Sequence, residues 1–129
     1  MSRRIFLSFE HGEPHWHEDV LRFFTRWGDE ARATPVYLRE DELPAPAPEA
    51  VEQAIADKLQ SCRGLLAVIG AHPEPNPRMS LEVRKARDLG LKCAITRHPH
   101  ASFYPEEAFR DITELEWGSA TLTHWLAGL

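Results

Sequence analysis

Residues 64–90 read GLLAVIGAHPEPNPRMSLEVRKARDLG and contain two patterns that together favour an α/β fold. The apolar run Leu65–Ile69, between two glycines, is typical of a strand that is buried on both faces. After a proline-rich loop, the segment Arg78–Leu89 has helical spacing and is followed by Gly90, a residue suited to ending a helix. The stretch therefore predicts a buried strand that leads through a loop into an amphipathic helix.

Glu82 is the residue of this unit that needs an explanation, because it falls on the apolar stripe of the predicted helix. That stripe is formed by Met79, Val83 and Ala86. One interpretation is a carboxylate directed towards a ligand. The other is a solvated residue at the edge of the stripe, paired with Arg78 four residues before it or with Lys85 three residues after it. Such helix pairs contribute about 0.2–0.5 kcal/mol.

The rest of the chain alternates between strand and helix patterns in the same way. The predicted strands are Arg4–Phe9, Thr34–Leu38, Leu65–Ile69, Leu91–Thr96 and Ile112–Leu115. The predicted helices are Pro14–Trp27, Pro48–Ser61, Arg78–Leu89 and Ala120–Leu126. This alternation predicts a parallel sheet with helices on both faces, a three-layer sandwich. The flavodoxin-like strand order 2-1-3-4-5 is the most economical winding for five strands in a chain of this length.

That strand order predicts where a ligand would bind. The order reverses between strands one and three, and ligands of open α/β sheets bind in the crevice outside the carboxyl ends of such strands. The loops Phe9–Pro14 and Gly70–Pro77 would flank this crevice, with Glu82 near its floor. Ser8, at the end of strand one, is a candidate for a hydrogen bond to a ligand or to nearby backbone. His72 is a further ligand-binding candidate from the second loop.

Composition limits the classes of function. The 129 residues, 43% of them hydrophobic, suit one domain over residues 1–129. The net charge is −5 and the arginines are scattered among acidic residues, which argues against nucleic acid as a partner. The two cysteines, Cys62 and Cys93, stand in apolar settings, which favours reduced thiols in a cytoplasmic protein.

No membrane-spanning segment or signal peptide is expected, because no apolar run is long enough. His11, His15 and His17 are close in sequence and suggest a metal site. They span a turn and a helix start without a suitably spaced acidic or cysteine partner, however, so no metal is predicted.

Three segments resemble TIR-like domains, and together they cover about Arg4–Ile95. They are RRIFLSF at residues 3–9, AVEQAI at 50–55 with a serine before the buried strand at 65–69, and SLEVRKARDLGLK at 80–92. The resemblance extends to the small prokaryotic TIR-like proteins that include the Thoeris anti-phage sensor ThsB. It implies a flavodoxin-like fold and an enzyme that cleaves NAD, with NAD as substrate and no cofactor.

The same resemblance assigns roles to individual residues. Glu82 matches the catalytic glutamate of such enzymes, and Phe9, Glu10 and His11 would lie beside the nicotinamide end of the substrate. With Ser8, His72 and Met79, these residues form the predicted substrate-binding set. The product would be a free, cyclic or conjugated ADP-ribose that acts as a signal or toxin in anti-phage defence. Partners would be NAD or a related nucleotide, and a second copy or another defence protein.

Two positions depart from the TIR-like pattern. A tryptophan commonly stands shortly before the glutamate, where this chain has Arg78-Met-Ser-Leu81, and the serine-aspartate pair before the third strand is here Ser61-Cys62. The alternative function is therefore a TIR-like sensor or scaffold that binds other proteins or a nucleotide and cleaves nothing.

Overall fold

Five strands and three helices have bounds within the described residues of a computed structural model of the chain. The structure describes residues 3–9, 22, 26, 33–37, 48–69, 77–97, 109–116 and 120–129. The strands are β1 (Arg3–Phe9), β2 (Ala33–Val36), β3 (Gly64–Ile69), β4 (Lys92–Arg97) and β5 (Thr113–Glu116). The helices are α1 (Pro48–Leu59), α2 (Pro77–Asp88) and α3 (Ala120–Ala127).

All five strands are parallel and form one sheet in the order β2-β1-β3-β4-β5. The predicted flavodoxin-like fold and strand order are thus confirmed. β1 and β3 are central neighbours, and their register aligns Ser8 with Ala67 and Phe9 with Val68. The order reverses between these two strands, so the carboxyl ends of β1 and β3 mark the switch point at which ligands bind in folds of this type.

Each face of the sheet carries its own apolar cluster. On the face covered by α1 and α2, called here the α1/α2 face, the strands contribute Phe6, Leu65, Ala67, Ile69 and Ile95, and the helices contribute Ile55, Leu59, Met79, Val83 and Ala86. On the opposite face, called the α3 face, strand residues Ile5, Leu7, Leu66, Val68 and Ala94 pack with Leu122 and Leu126 of α3. Successive strand residues alternate between these two faces, as the pleat requires. Ser8 therefore belongs to the α1/α2 face, with Phe6.

Helix α2 ends as the sequence predicts. The amide of Gly90 donates to the carbonyl of Arg87, and the amide of Leu91 donates to that of Ala86, both at 3.0 Å. Gly90 has φ +75°, in the left-handed region that costs little only without a side chain. This pair of bonds is a Schellman motif, and Leu91 packs on the same cluster as Ala86. The turn sets the start of β4 directly after the helix.

The predicted elements match the observed ones with small shifts at their ends. β1 and β3 begin one residue earlier than predicted, β4 and β5 lie one residue later, and α1 ends at Leu59 rather than at Ser61. β2 spans Ala33–Val36, and Tyr37, predicted to be in this strand, lies beyond it. The predicted helix Pro14–Trp27 lies outside the described residues, except for Arg22 and Arg26, which are helical and exposed.

Candidate functional site

The candidate site is centred on a contact between β1 and α2. The hydroxyl of Ser8 donates a hydrogen bond of 2.7 Å to Oε1 of Glu82. Ser8 is 0% exposed and Glu82 is 1% exposed, so the contact is closed to solvent. Because α2 is the helix that follows β3, the bond joins the elements on both sides of the switch point. The structure thus brings together two of the residues that the sequence identified as candidates.

The other oxygen of Glu82 has a different environment. Oε2 lies 3.6 Å from Nε of Arg78, one helical turn earlier on α2. This distance permits attraction between the charges but is longer than a hydrogen bond. Among the described residues, no donor lies within hydrogen-bond distance of Oε2. One carboxyl oxygen is therefore held by Ser8, and the other is buried without a hydrogen bond from the described residues.

Burial changes the ionisation of this carboxyl. Removal from water raises the pKa of Glu82 from 4.5 to about 7, although the hydrogen bond from Ser8 and the charge of Arg78 act in the opposite direction. Desolvation outweighs both because a charge in an apolar interior loses its hydration. Near neutral pH the group is divided between acid and carboxylate. A carboxyl tuned to this range is suited to stabilise positive charge or to transfer a proton.

The surroundings of Glu82 bear on the second interpretation of its position on the helix, a solvated residue paired with Arg78 or with Lys85. The prediction that Glu82 is solvated at the edge of the stripe is wrong, because its side chain is buried. Lys85 does not pair with it, because Nζ of Lys85 lies 2.9 Å from Oε1 of Glu52 on α1. The predicted pairing with Arg78 is present, with Nε of Arg78 at 3.6 Å from Oε2 of Glu82.

Other predicted site residues are placed differently. Met79 is buried in the cluster of the α1/α2 face, where it packs among apolar side chains. Phe9 ends β1 opposite Val68, next to Ser8, and its side chain is not among the described ones. Glu10, His11 and His72 lie outside the described residues, so their predicted contacts with substrate stay predictions.

The contact between Ser8 and Glu82 was not itself predicted. Its signal was present in the sequence, because alternation along Phe6–Ser8 directs Ser8 to the same face as Phe6, and the helical stripe directs Glu82 inwards. Two polar side chains that both point into one apolar layer stabilise each other when they meet, because an unpaired buried polar group costs about 1–3 kcal/mol.

Further buried or half-buried polar groups among the described residues include Thr96, Cys62 and Cys93. Thr96 is fully buried, and its hydroxyl has no hydrogen-bond partner within the described ranges. It lies on the α3 face, two residues after Ala94, away from Glu82. Cys62 and Cys93 are free thiols, and burial raises the pKa of each. In the part of the chain that the structure describes, no three His, Cys, Asp or Glu residues are grouped so that they could hold a metal ion.

None of the helices in the described part of the chain has the length and apolarity needed to cross a membrane.

Known proteins resemble this chain in structure but not in sequence. The sequence matches no protein-family profile and no curated protein. In structure, the chain is similar to the SEFIR domain of interleukin-17 receptor B, with a TM-score of 0.68 and 11% identity over 98% of this chain and 95% of that one. It is also similar to a 2-deoxyribosyltransferase from Leishmania mexicana, with a TM-score of 0.57 and 16% identity over 74% of this chain and 64% of the enzyme. At these identities the likenesses show the fold, which is the TIR-like, flavodoxin-like arrangement of the SEFIR domain.

Proposed function

We propose that the chain cleaves the bond between nicotinamide and ribose in NAD, with Glu82 as the catalytic carboxylate. The product is an ADP-ribose that is released free, cyclised or transferred to another acceptor. The observation that carries the proposal is a buried carboxyl at the switch point of the sheet, held on one oxygen by Ser8 and facing Arg78 with the other. Ligands of such sheets bind at this position.

The chemistry of the reaction fits a single carboxylate. As the bond to nicotinamide breaks, positive charge develops on the ribose, and a carboxylate held against the sugar stabilises that charge. Nicotinamide leaves NAD as a neutral molecule, so its departure needs no strong general acid. The charge that forms during the reaction favours the ionised form of Glu82, whose pKa lies at about 7 in the folded chain.

The fold is compatible with chemistry at a sugar. The similar structure from Leishmania mexicana is by name a 2-deoxyribosyltransferase, an enzyme that transfers a deoxyribosyl group. This likeness supports the use of the same arrangement of strands and helices for a reaction at an anomeric carbon. The choice of NAD as substrate rests on the resemblance of the three sequence segments to TIR-like domains.

The experiment is a measurement of nicotinamide release by the purified chain, at high protein concentration and with a crowding agent, followed by chromatography. We expect release by the wild type and at least a 100-fold loss in Glu82→Gln, within the range found when one stabilising group is removed. The matched control is Glu49→Gln, which removes an exposed carboxylate from α1 and leaves the ion pair between Glu52 and Lys85 in place. Equal release by folded Glu82→Gln would exclude Glu82 from the reaction.

The proposed biological role is anti-phage defence, in which the product serves as a signal or a toxin. It rests on the resemblance to the Thoeris sensors. Expression of the wild type and of Glu82→Gln in a bacterial host, with measurement of NAD and its products before and after phage infection, tests this role. The proposal requires NAD consumption or a new nucleotide product in the wild type only, after infection.

A second candidate function is a TIR-like sensor or scaffold. The specific observation in its favour is that the fold matches nearly the whole of a receptor's SEFIR domain. In that case the hydrogen bond between Ser8 and Glu82 would have a structural role, linking α2 to β1 in the interior. Absence of nicotinamide release under all conditions, together with self-association or binding of NAD without cleavage, would favour this function.

A further inference from the structure

Ser8 has a defined relationship to the two oxygens of Glu82. Its hydroxyl donates to Oε1 at 2.7 Å, and both residues are closed to solvent. A serine hydroxyl carries a single proton, so this bond uses the only donor that Ser8 has. Oε2 is the oxygen that lacks a hydrogen bond among the described residues.

We propose that Ser8 is a positioning residue, which fixes the orientation of the Glu82 carboxyl so that Oε2 is the oxygen that acts on the substrate. This inference rests on the proposed function and deepens it, because it assigns different tasks to the two oxygens. Oε1 is bound to the sheet and keeps the carboxyl plane in place. Oε2 receives the donor groups of the sugar and faces the charge that develops there.

The mechanical argument comes from where the two residues are anchored. Ser8 is on β1, which pairs with β2 and β3, and its own backbone lies opposite Ala67 of β3. Glu82 has three rotatable side-chain bonds and is anchored on a helix. A second attachment point on the sheet removes most of this rotational freedom before the substrate arrives. Pre-orientation of this kind accelerates reactions that need close alignment of the reacting atoms.

The groups around Glu82 leave Ser8 as its only hydrogen-bond donor in the described part of the chain. The described cation that faces Glu82 is Arg78, at 3.6 Å from Oε2. Lys85, on the same helix, is bonded to Glu52 of α1. The residues that align with Ser8 on β3 and β4 are Ala67 and Ile95, which are apolar.

The test combines a titration without substrate and kinetics with NAD. The titration follows the ¹³C shift of the Glu82 carboxyl, assigned by its disappearance in Glu82→Gln, in the wild type, Ser8→Ala, Ser8→Thr and the exposed control Ser61→Ala. Loss of the Ser8 donor raises the pKa of Glu82 above that of the wild type, because the bond from Ser8 lowers it. Ser8→Thr keeps a hydroxyl and therefore stays close to the wild type.

In the kinetics we expect kcat to fall by up to about 100-fold in Ser8→Ala while KM changes little, with recovery in Ser8→Thr. An unchanged Glu82 pKa in folded Ser8→Ala overturns the proposal, whatever the activity. An increase in KM with kcat unchanged also overturns it, because it would show that Ser8 binds the substrate directly. If the pKa shifts as expected but the wild type releases no nicotinamide, the orienting contact stands and the proposed reaction fails. Should Ser8→Ala not fold, Ser8→Cys, with a weak donor of similar size, replaces it.

Discussion

Ser8 and Glu82 are 74 positions apart in the sequence, yet the hydroxyl of one lies 2.7 Å from the carboxyl of the other inside the fold. The contact joins the first strand to the helix that follows the third strand, across the point where the strand order reverses. It therefore depends on the complete β1-β3-α2 unit, and no local segment can form it. The ionisation of Glu82 reports on this unit directly.

The stability of the protein should decrease as the pH rises from about 4.5 to 7. The folded state raises the pKa of Glu82 from 4.5 to about 7, so in this window it binds more protons than the unfolded state. This contribution of Glu82 to the free energy of unfolding is fully present below pH 4.5 and is lost by pH 7. Its size is about 3 kcal/mol, because each unit of difference in pKa corresponds to about 1.4 kcal/mol. Urea unfolding of the wild type and of Glu82→Gln across pH 4–8 measures it.

Glu82→Gln has no group that titrates at this position, so it should gain stability relative to the wild type as the pH rises. Glu49→Gln, at an exposed position of α1, is the control, and its stability should follow the pH dependence of the wild type. Parallel curves for the wild type and Glu82→Gln would contradict a raised pKa in the folded protein.

Replacement of Arg78 should move the ionisation of Glu82 to higher pH. The guanidinium of Arg78 favours the charged form of the carboxyl and lowers its pKa against the larger effect of burial. In Arg78→Gln that attraction is lost, so we expect the pKa of Glu82 to rise above about 7. The ¹³C titration of the carboxyl measures the change. Arg84→Gln, an exposed position on the same helix, should leave the titration as in the wild type.

The centre of the sheet should be far more sensitive to truncation than the end of α2. Leu66 is fully buried in the cluster of the α3 face, and Leu66→Ala should destabilise the fold by about 2–5 kcal/mol, since it removes apolar contacts and leaves a cavity. Leu89 is 46% exposed, so Leu89→Ala should change stability by less than about 0.5 kcal/mol. Denaturant unfolding of both variants provides the comparison. Similar losses would show that Leu66 is not closely packed.

The fold was predictable because its signals are local. The buried run at 65–69, the helical stripe of α2 and the position of Gly90 each determine their own element, and the alternation of elements then limits the topology to a few windings. The predicted positions of the strand ends were less accurate. β4 includes Arg97 and excludes Leu91, because pairing with Ile69 of β3 extends the ladder further than hydrophobicity does.

The site was only partly predictable because it depends on tertiary contacts. The helical stripe identified Glu82, but spacing on the helix alone could not decide whether Lys85 would pair with it. That choice depends on α1, which presents Glu52 to Lys85. The partner of Ser8 depends in the same way on how closely α2 packs on β1. Side-chain partners across elements therefore require the packed structure, whereas the faces on which they lie do not.

Gly64 should not tolerate a side chain, because Lys92 of β4 and Leu129 lie close to its Cα. A Cβ at Gly64 would lie 2.9 Å from the backbone carbonyl oxygen of Lys92 and 3.1–3.2 Å from the Leu129 side chain. The carbonyl belongs to β4 and cannot move without disturbing the ladder, so Gly64→Ala should destabilise the fold by about 1–3 kcal/mol. At Gly128 the nearest atoms would lie 3.6 Å and 3.7 Å away, which are ordinary contacts, so Gly128→Ala should change stability by less than about 0.5 kcal/mol. Thermal unfolding of the two variants beside the wild type tests the difference, and an unchanged melting temperature in Gly64→Ala would contradict this packing of β3 on β4.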